Sequence, residues 1–293
     1  MQKQILANKR RTVYIIIVFT LIISLFGVLI AALANNWLIV LVFAIIAIAY
    51  AIFQYYFSAS FSTFISGARP IAASDQPKLY HLVNNVANLA KVPVPKIYLI
   101  DDPAPNAFAT GRDPNHSLIA VTTGLLKIMP DAELKAVLAH EISHIKNYDI
   151  RVSMITFGLT SIAGVFSDLG FRLIYFGSFN RNKNGEERSP IGVIALILAA
   201  IFAPFIAALA QMAVSREREF LADASSANLL NNPGPMISAL KNLAEHSRPM
   251  KQQNTATEAL FISSPLRKSI FSGLFSTHPP IEKRIDRLER LKK

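Results

Sequence analysis

Cysteine is absent from the 293 residues of this chain. That removes disulfides, thiolate metal sites and cysteine nucleophiles, so any metal has to be held by histidine and carboxylates. Charge is scarce as well: 17% of residues are charged against 52% hydrophobic, a balance too apolar for an ordinary soluble domain of this size. Acidic residues are the scarcer sign, 19 against 30 basic ones, for a formal net charge of +11. The basic residues are scattered among apolar runs and gather at the two ends, which suits an anionic membrane surface rather than nucleic acid. No internal repeat is visible.

Charge is missing altogether from Val13 to Asn35. At ~1.5 Å rise per residue, a helix of that length crosses a ~30 Å hydrocarbon core. A second uncharged run, Trp37 to Phe57, follows the polar pair Asn35 and Asn36. The pattern predicts an N-terminal transmembrane hairpin over residues 1–60, with spans at about 13–35 and 37–57 and with Trp37, Tyr55 and Tyr56 at the interfaces. The first run is too long for the apolar part of a cleavable signal peptide. Lys3, Lys9, Arg10 and Arg11 precede the hairpin, its turn has no basic residue, and Arg69 and Lys78 follow it. Positive-inside reasoning places the N-terminus and everything after Phe57 in the cytoplasm. The lack of ionisable groups inside both runs also argues against a metal transporter.

Residues 61–293 read as an α+β, mainly helical domain. "SGARP" at Ser66 to Pro70 marks the exit from the hairpin. Asp75 and Pro77 resemble a helix start, with Leu79, Leu82, Val83, Val86 and Leu89 as one apolar face. "KIYLI" from Lys96, "NAFATG" from Asn106 and "SLIAVT" from Ser117 predict a small sheet, the last two joined by the turn-rich "RDPNH". A helix begins after Pro130 and Asp131. Apolar stretches at about 152–176 and 191–214 predict a second helical hairpin inside the domain; the first, interrupted by Asp168 and Arg172, is either a full span or a re-entrant helix. The closing "IEKRIDRLERLKK" carries Ile281, Ile285, Leu288 and Leu291 on one face and basic residues elsewhere, a pattern that suits a solvated helix packed on the domain first and a membrane-surface anchor second.

Chemistry gathers in "AVLAHEISHIKNYD" from Ala136. On a helix each residue turns ~100°, so His140 and His144 lie ~40° apart and both imidazoles can reach one ion, with Glu141 displaced by ~100°. Leu134, Leu138, Ile142 and Ile145 form an adjoining apolar stripe, while Lys135 and Lys146 face out. Zinc accepts two neutral imidazoles and a carboxylate and leaves one position for a water whose acidity it raises, and Glu141 is placed to take that water's proton. An H-E-x-x-H pattern also arises by chance, so a third ligand matters. "SREREFLADASSA" offers Glu219 as that ligand and, four residues on, Asp223 as the acceptor for the free N–H of a ligating histidine.

H-E-x-x-H followed by S-R-x-x-E-x-x-A-D resembles the membrane-bound zinc metalloproteases of the HtpX family, relatives of the CAAX prenyl proteases. The hairpin, "NAFATG", "AHEISH", "SREREFLAD" and "STHPP" appear in the family's order along nearly the whole chain. The resemblance implies a multi-pass protein with a zincin-type, gluzincin-like catalytic domain. It also implies one zinc held by His140, His144 and Glu219, with Glu141 as general base. It further implies a bacterial inner-membrane endopeptidase, with its active site at the cytoplasmic face, that cleaves misfolded or damaged membrane proteins under stress. Its partners would be unfolded or membrane-protein substrates and the lipid bilayer, with no nucleic acid.

Three further residues are candidates. Asn106 opens an expected edge strand on which a substrate backbone could pair, and it reads equally as a turn asparagine after "DDPAP". His278 in "THPP" resembles a family position suited to donating to an oxyanion, against the alternative of a rigid loop. Arg216 is a candidate partner for a site carboxylate. His81, His116 and His246 have no partner at ligand spacing. A scaffold that uses zinc only for its fold is the alternative from another class, and the presence of Glu141 argues against it, since a structural site needs no base. A prenyl protease is the alternative within the enzymes.

Overall fold

The computed structural model describes residues 2–159, 216–252, 260–263 and 279–291. Residues 160–176 and 191–214 of the expected second hairpin, and His278, lie outside them. Two long helices open the chain, α1 (Gln2–Ala34) and α2 (Leu38–Ser66). Asn35 takes a left-handed turn (φ 50°) between them, so they run antiparallel. Gly27 makes the approach close: a Cβ there would stand 2.7 Å from that of Phe43, and Phe19 meets Tyr50 at 5.9 Å between ring centroids. Among the described residues, α2 is long and apolar enough to cross a membrane.

Both helices outrun the boundaries read from hydropathy. α1 begins before Val13, and α2 continues past Phe57 to a left-handed Gly67. The extension is polar, and Ser58, Ser62 and Ser66 each return a hydroxyl hydrogen bond to the carbonyl four residues back. A scale that weighs only side-chain polarity ends the helix too early where serines satisfy themselves on the backbone.

The expected exit segment is a strand. β1 (Ala68–Pro70) pairs antiparallel with β2 (Lys96–Ile100), which runs parallel to β4 (His116–Thr122), and β3 (Ala107–Asp113) closes the order β1-β2-β4-β3 antiparallel to β4. The three strands expected from the sequence are present. The β3–β4 ladder is bulged at Gly111, whose φ of 145° and close approach to the His116 carbonyl leave no room for a Cβ.

One face of the sheet packs on α3 (Pro77–Ala90), α5 (Asp131–Lys146) and α8 (Gly234–Glu245) in the largest core cluster. In α3 the stripe is Leu79, Val83, Val86 and Ala90, while Leu89 is exposed. Leu89 sits ~100° round from Ala90, so assigning it to the apolar face by residue type was an error of phase. α4 (Thr123–Ile128) is a short helix capped by the Thr122 hydroxyl, which accepts from the Leu125 N–H. α6 (149–159) carries Val152, Ile155 and Leu159 into a second cluster with Ile15, Phe19 and Ala47 of the hairpin. α7 (Arg216–Leu229) lies against α5, with the Ser226 hydroxyl donating to the Ala136 carbonyl at 2.7 Å. α9 (Ile281–Arg290) packs on α7 and α8.

Candidate metal centre

α5 is the central helix, packed on by α3, α7, α8 and β3. It is buried over far more of its circumference than one stripe: Ala136, Val137, Ala139 and Ser143 are inside as well as the expected Leu134, Leu138, Ile142 and Ile145. That enclosure fixes its rotation and so fixes where its polar residues point. His140 and His144 present their Nε2 atoms to each other at 3.2 Å, and α7 brings Glu219 to 3.6 Å from the first and 3.5 Å from the second. Small residues on α7, Ala222, Ser226 and Ala227, permit this close approach of two helix backbones.

The donor set fits zinc. Tetrahedral bonds of ~2.0–2.1 Å put neighbouring ligand atoms ~3.3–3.4 Å apart, and the three separations here bracket that value. The ligand atoms all lie within 4.8 Å of one another. Two neutral imidazoles and a carboxylate from two helices also leave a fourth direction open, toward a cleft lined by Ala109, Ile150, Ser153, Leu260, Phe261 and Ile262.

Each imidazole is held by a carboxylate at its far nitrogen. His140 Nδ1 is 2.9 Å from Asp223 and His144 Nδ1 is 3.1 Å from Asp149. A carboxylate there accepts the Nδ1–H and turns the Nε2 lone pair toward the ion. Asp223 was expected in this role from its spacing to Glu219; Asp149 was not, although it ends the motif segment. It follows the break after α5, where Tyr148 takes a φ of 61° and the chain turns back, so helical periodicity does not reach it.

Arg284 was also missed. The amphipathic pattern of the closing helix places its basic residues in solvent, yet Arg284 is 1% exposed while Leu291 is 52% exposed. Its guanidinium donates to both Asp223 oxygens at 2.8 and 2.7 Å and stands 3.9 Å from Glu219. Burial alone would raise the Asp223 carboxyl, but Arg284 outweighs it and holds the group at about 2. For His140, burial works downward, and the Asp223 and Glu219 carboxylates overcome it, so that without a metal the imidazole is pushed up to about 9. Burial raises Glu141, opposed by the two imidazoles and by a hydrogen bond from the Ala109 backbone.

The remaining candidates fall as follows. Arg216 is exposed at the start of α7; the guanidinium on Asp223 is that of Arg284. Asn106 is buried just before β3, and its amide forms a two-point clamp on Ser263, donating to the carbonyl at 2.8 Å and accepting from the N–H at 3.2 Å. Ile262 continues the pairing by donating to Ala107 at 2.9 Å, and Phe108 stacks edge-on against Phe261 at 4.9 Å. The start of the edge strand is therefore covered by the chain itself, and Ala109 is its first residue lining the cleft. His116 is a surface residue bonded to Asp113.

Sequence comparison decides the family. The model of peptidase family M48 matches residues 73–292, which carry every residue placed at this centre above. This chain belongs to peptidase family M48. Its M48 relatives include the "Protease HtpX homolog" of Tropheryma whipplei (strain Twist), 44% identical over 287 residues, 97% of this chain and 96% of that one. The protein of the same name from Lactobacillus helveticus (strain DPC 4571) is 41% identical over 296 residues, 99% of each chain. The fold is similar to that in the crystal structure of S. mikatae Ste24p, with a TM-score of 0.52 at 20% identity, covering 98% of this chain and 66% of that one. The M48 family is zinc-dependent in general, and membership makes this chain a metalloprotease, to which α2 adds a helix long and apolar enough to cross a membrane.

Proposed function

We propose that this membrane metalloprotease is a quality-control endopeptidase of the bacterial inner membrane, cleaving misfolded or damaged membrane proteins and unfolded segments at the cytoplasmic face, with a role in stress. The observation that carries the reading is the convergence of His140, His144 and Glu219 at zinc-ligand spacing with buried Glu141 beside them. His140, His144 and Glu219 hold one zinc per chain, each imidazole oriented through Nδ1. When bound, the metal supplies Lewis acidity toward a water and the scissile carbonyl. Glu141 accepts the proton that the attacking water loses and returns it to the leaving amine. The Ala109 N–H holds one face of that carboxylate in place. Past Ala109 the β3 edge offers backbone groups on which an extended substrate can lie, and His278 and Arg216 are kept as candidate substrate or oxyanion contacts.

The placement of the hairpin supports a membrane-proximal site. Outward-facing Ile17, Leu21, Leu25, Leu41, Ile45 and Ile52 are exposed on α1 and α2, as lipid-facing side chains are. α2 has 29 residues, about 43 Å at ~1.5 Å per residue, more than the ~30 Å core needs. Its serine-rich end then emerges beside β1 and the catalytic domain. The proposed domain division keeps residues 1–60 as the hairpin, whose second helix runs on to Ser66, and 61–293 as the peptidase domain, with apolar helices expected at about 152–176 and 191–214. Substrates reach the cleft from the bilayer or its surface, and nucleic acid is not among the partners.

Glu141→Gln tests the mechanism. Cleavage of an unfolded membrane substrate should fall by about 10²–10⁴-fold while the bound zinc persists. Retained cleavage would rule the mechanism out.

A further inference from the structure

The first helix reaches the metal centre. Asn8, near the start of α1, is 2% exposed and spends both amide hydrogens on the far side of the chain, donating to the Asn147 carbonyl at 2.9 Å and to Asp149 Oδ1 at 2.7 Å. The other oxygen of Asp149 is the one 3.1 Å from His144 Nδ1. His144 then turns its Nε2 toward His140 and Glu219. Asp149 is itself 3% exposed, so the rotation of its carboxylate is set mainly by what it bonds.

The chemistry of the donor matters. An amide fixes the carboxylate through one oxygen and brings no charge of its own; the cation near Asp149 is the buried Arg218 guanidinium, and the carboxylate on Nδ1 raises the basicity of the ligating nitrogen. The Asn147 carbonyl completes the frame, because it fixes the same amide in the plane that aims the second hydrogen at Asp149. Thr12, one turn on, donates to the Asn8 carbonyl at 3.0 Å, and Ile15 and Phe19 seat the following turns against α6. The line from hairpin to ligand is unbroken: α1 packing, Asn8, Asp149, His144.

We infer that Asn8 is a positioning residue for the metal centre, so that zinc affinity depends on how α1 is docked against α6. The inference rests on the reading of His144 as a zinc ligand. It makes the N-terminal helix part of the site's supporting shell as well as an anchor, and it links the state of the hairpin in the bilayer to the ligand geometry.

The test uses the full chain in detergent. Zinc dissociation constants come from competition with a chromogenic chelator, and the visible absorption of the cobalt-substituted protein reports ligand geometry. Asn8→Ala should weaken zinc about tenfold, within the range for loss of an outer hydrogen-bond partner, and should shift the cobalt bands. Leu21→Ala changes an outward-facing side chain of the same helix, 63% exposed, without touching Asp149 or the packing on α6, and its zinc affinity should stay within about twofold of the parent. In an Asp149→Asn background, Asn8→Ala should add nothing further. Unchanged affinity in Asn8→Ala, an equal loss in Leu21→Ala, or additive losses with Asp149→Asn would each overturn the inference. His144→Ala separates the two levels: if that variant keeps the parental zinc affinity, the metal-centre reading itself fails, whereas if it loses zinc while Asn8→Ala does not, only the role of Asn8 is lost.

Discussion

Replacing Arg284 with methionine removes a buried guanidinium that donates twice to Asp223 and fills much of its volume without charge. Asp223, 2% exposed, is left with His140 Nδ1 at 2.9 Å as its partner among those described above. Removing one member of a buried pair costs about 3–5 kcal/mol, because the surviving charge is uncompensated. At about 2–4 °C per kcal/mol for a domain of this size, the melting temperature should fall by roughly 6–20 °C. The pH dependence has a definite sign. Asp223 is held at about 2, below the ~3.9 of an unfolded aspartate, and a depressed carboxyl contributes stability that is present above the unfolded value and is lost as pH falls through the folded one. The parent should therefore lose about 2–3 kcal/mol of this contribution between roughly pH 4 and pH 2. In Arg284→Met, burial is no longer outweighed and the carboxyl rises, so the variant is relieved by acid that harms the parent. Thermal unfolding of the metal-free full chain in detergent at about pH 7.5 and about pH 3 measures this. A neutral-pH difference under about 2 °C, or a gap that does not narrow at the lower pH, would refute the reasoning.

Asp149→Asn should weaken zinc binding about 10–100-fold, because the amide accepts less strongly from His144 Nδ1, with the loss read by chelator competition. His140 in the metal-free protein is pushed up to about 9, so zinc must displace a proton at neutral pH, and apparent affinity should fall about tenfold for each pH unit below that value; affinity flat between about pH 8 and pH 6 would contradict it. Ser226→Leu inserts bulk where α7 meets α5; overpacking should cost about 1–3 kcal/mol of stability and draw Glu219 away, so that zinc affinity falls with the melting temperature.

The readable part of this molecule was the part governed by period. The 3.6-residue turn puts His140 and His144 on one face, the alternation in "SLIAVT" marks a strand, and Asp131 opens α5 where Pro130 stops the preceding chain. What stayed hidden depends on contacts between elements. Asp149 is five residues from His144 across a left-handed Tyr148, so neither helical spacing nor a strand rule links them. Arg284 is a charged residue on an amphipathic helix, and only knowledge of Asp223 opposite it reverses the default of placing it in water. Leu89 shows the converse, an apolar residue that belongs to no core. Asn8 lies before the uncharged run of α1, in a segment that hydropathy treats as a flank.

These hidden residues share an electrostatic logic. Among the described residues, four carboxylates surround the centre, Glu141, Asp149, Glu219 and Asp223, against two buried guanidiniums, Arg284 beside Asp223 and Arg218 near Asp149. With Glu141 ionised, the buried site carries two negative charges in excess. An excess of that size in a low-dielectric interior is costly unless it is matched. In the metal-free chain the match is partial and comes from protons, which is why His140 holds one well above the ordinary histidine range. A divalent cation matches it in full and lets His140 revert to the neutral form that ligates. Removing Arg284 would deepen the excess and favour the cation electrostatically while loosening the Asp223 carboxylate that aims His140. Charge and geometry thus pull zinc affinity in opposite directions at that position, whereas at Asn8, which is neutral, geometry alone is at stake.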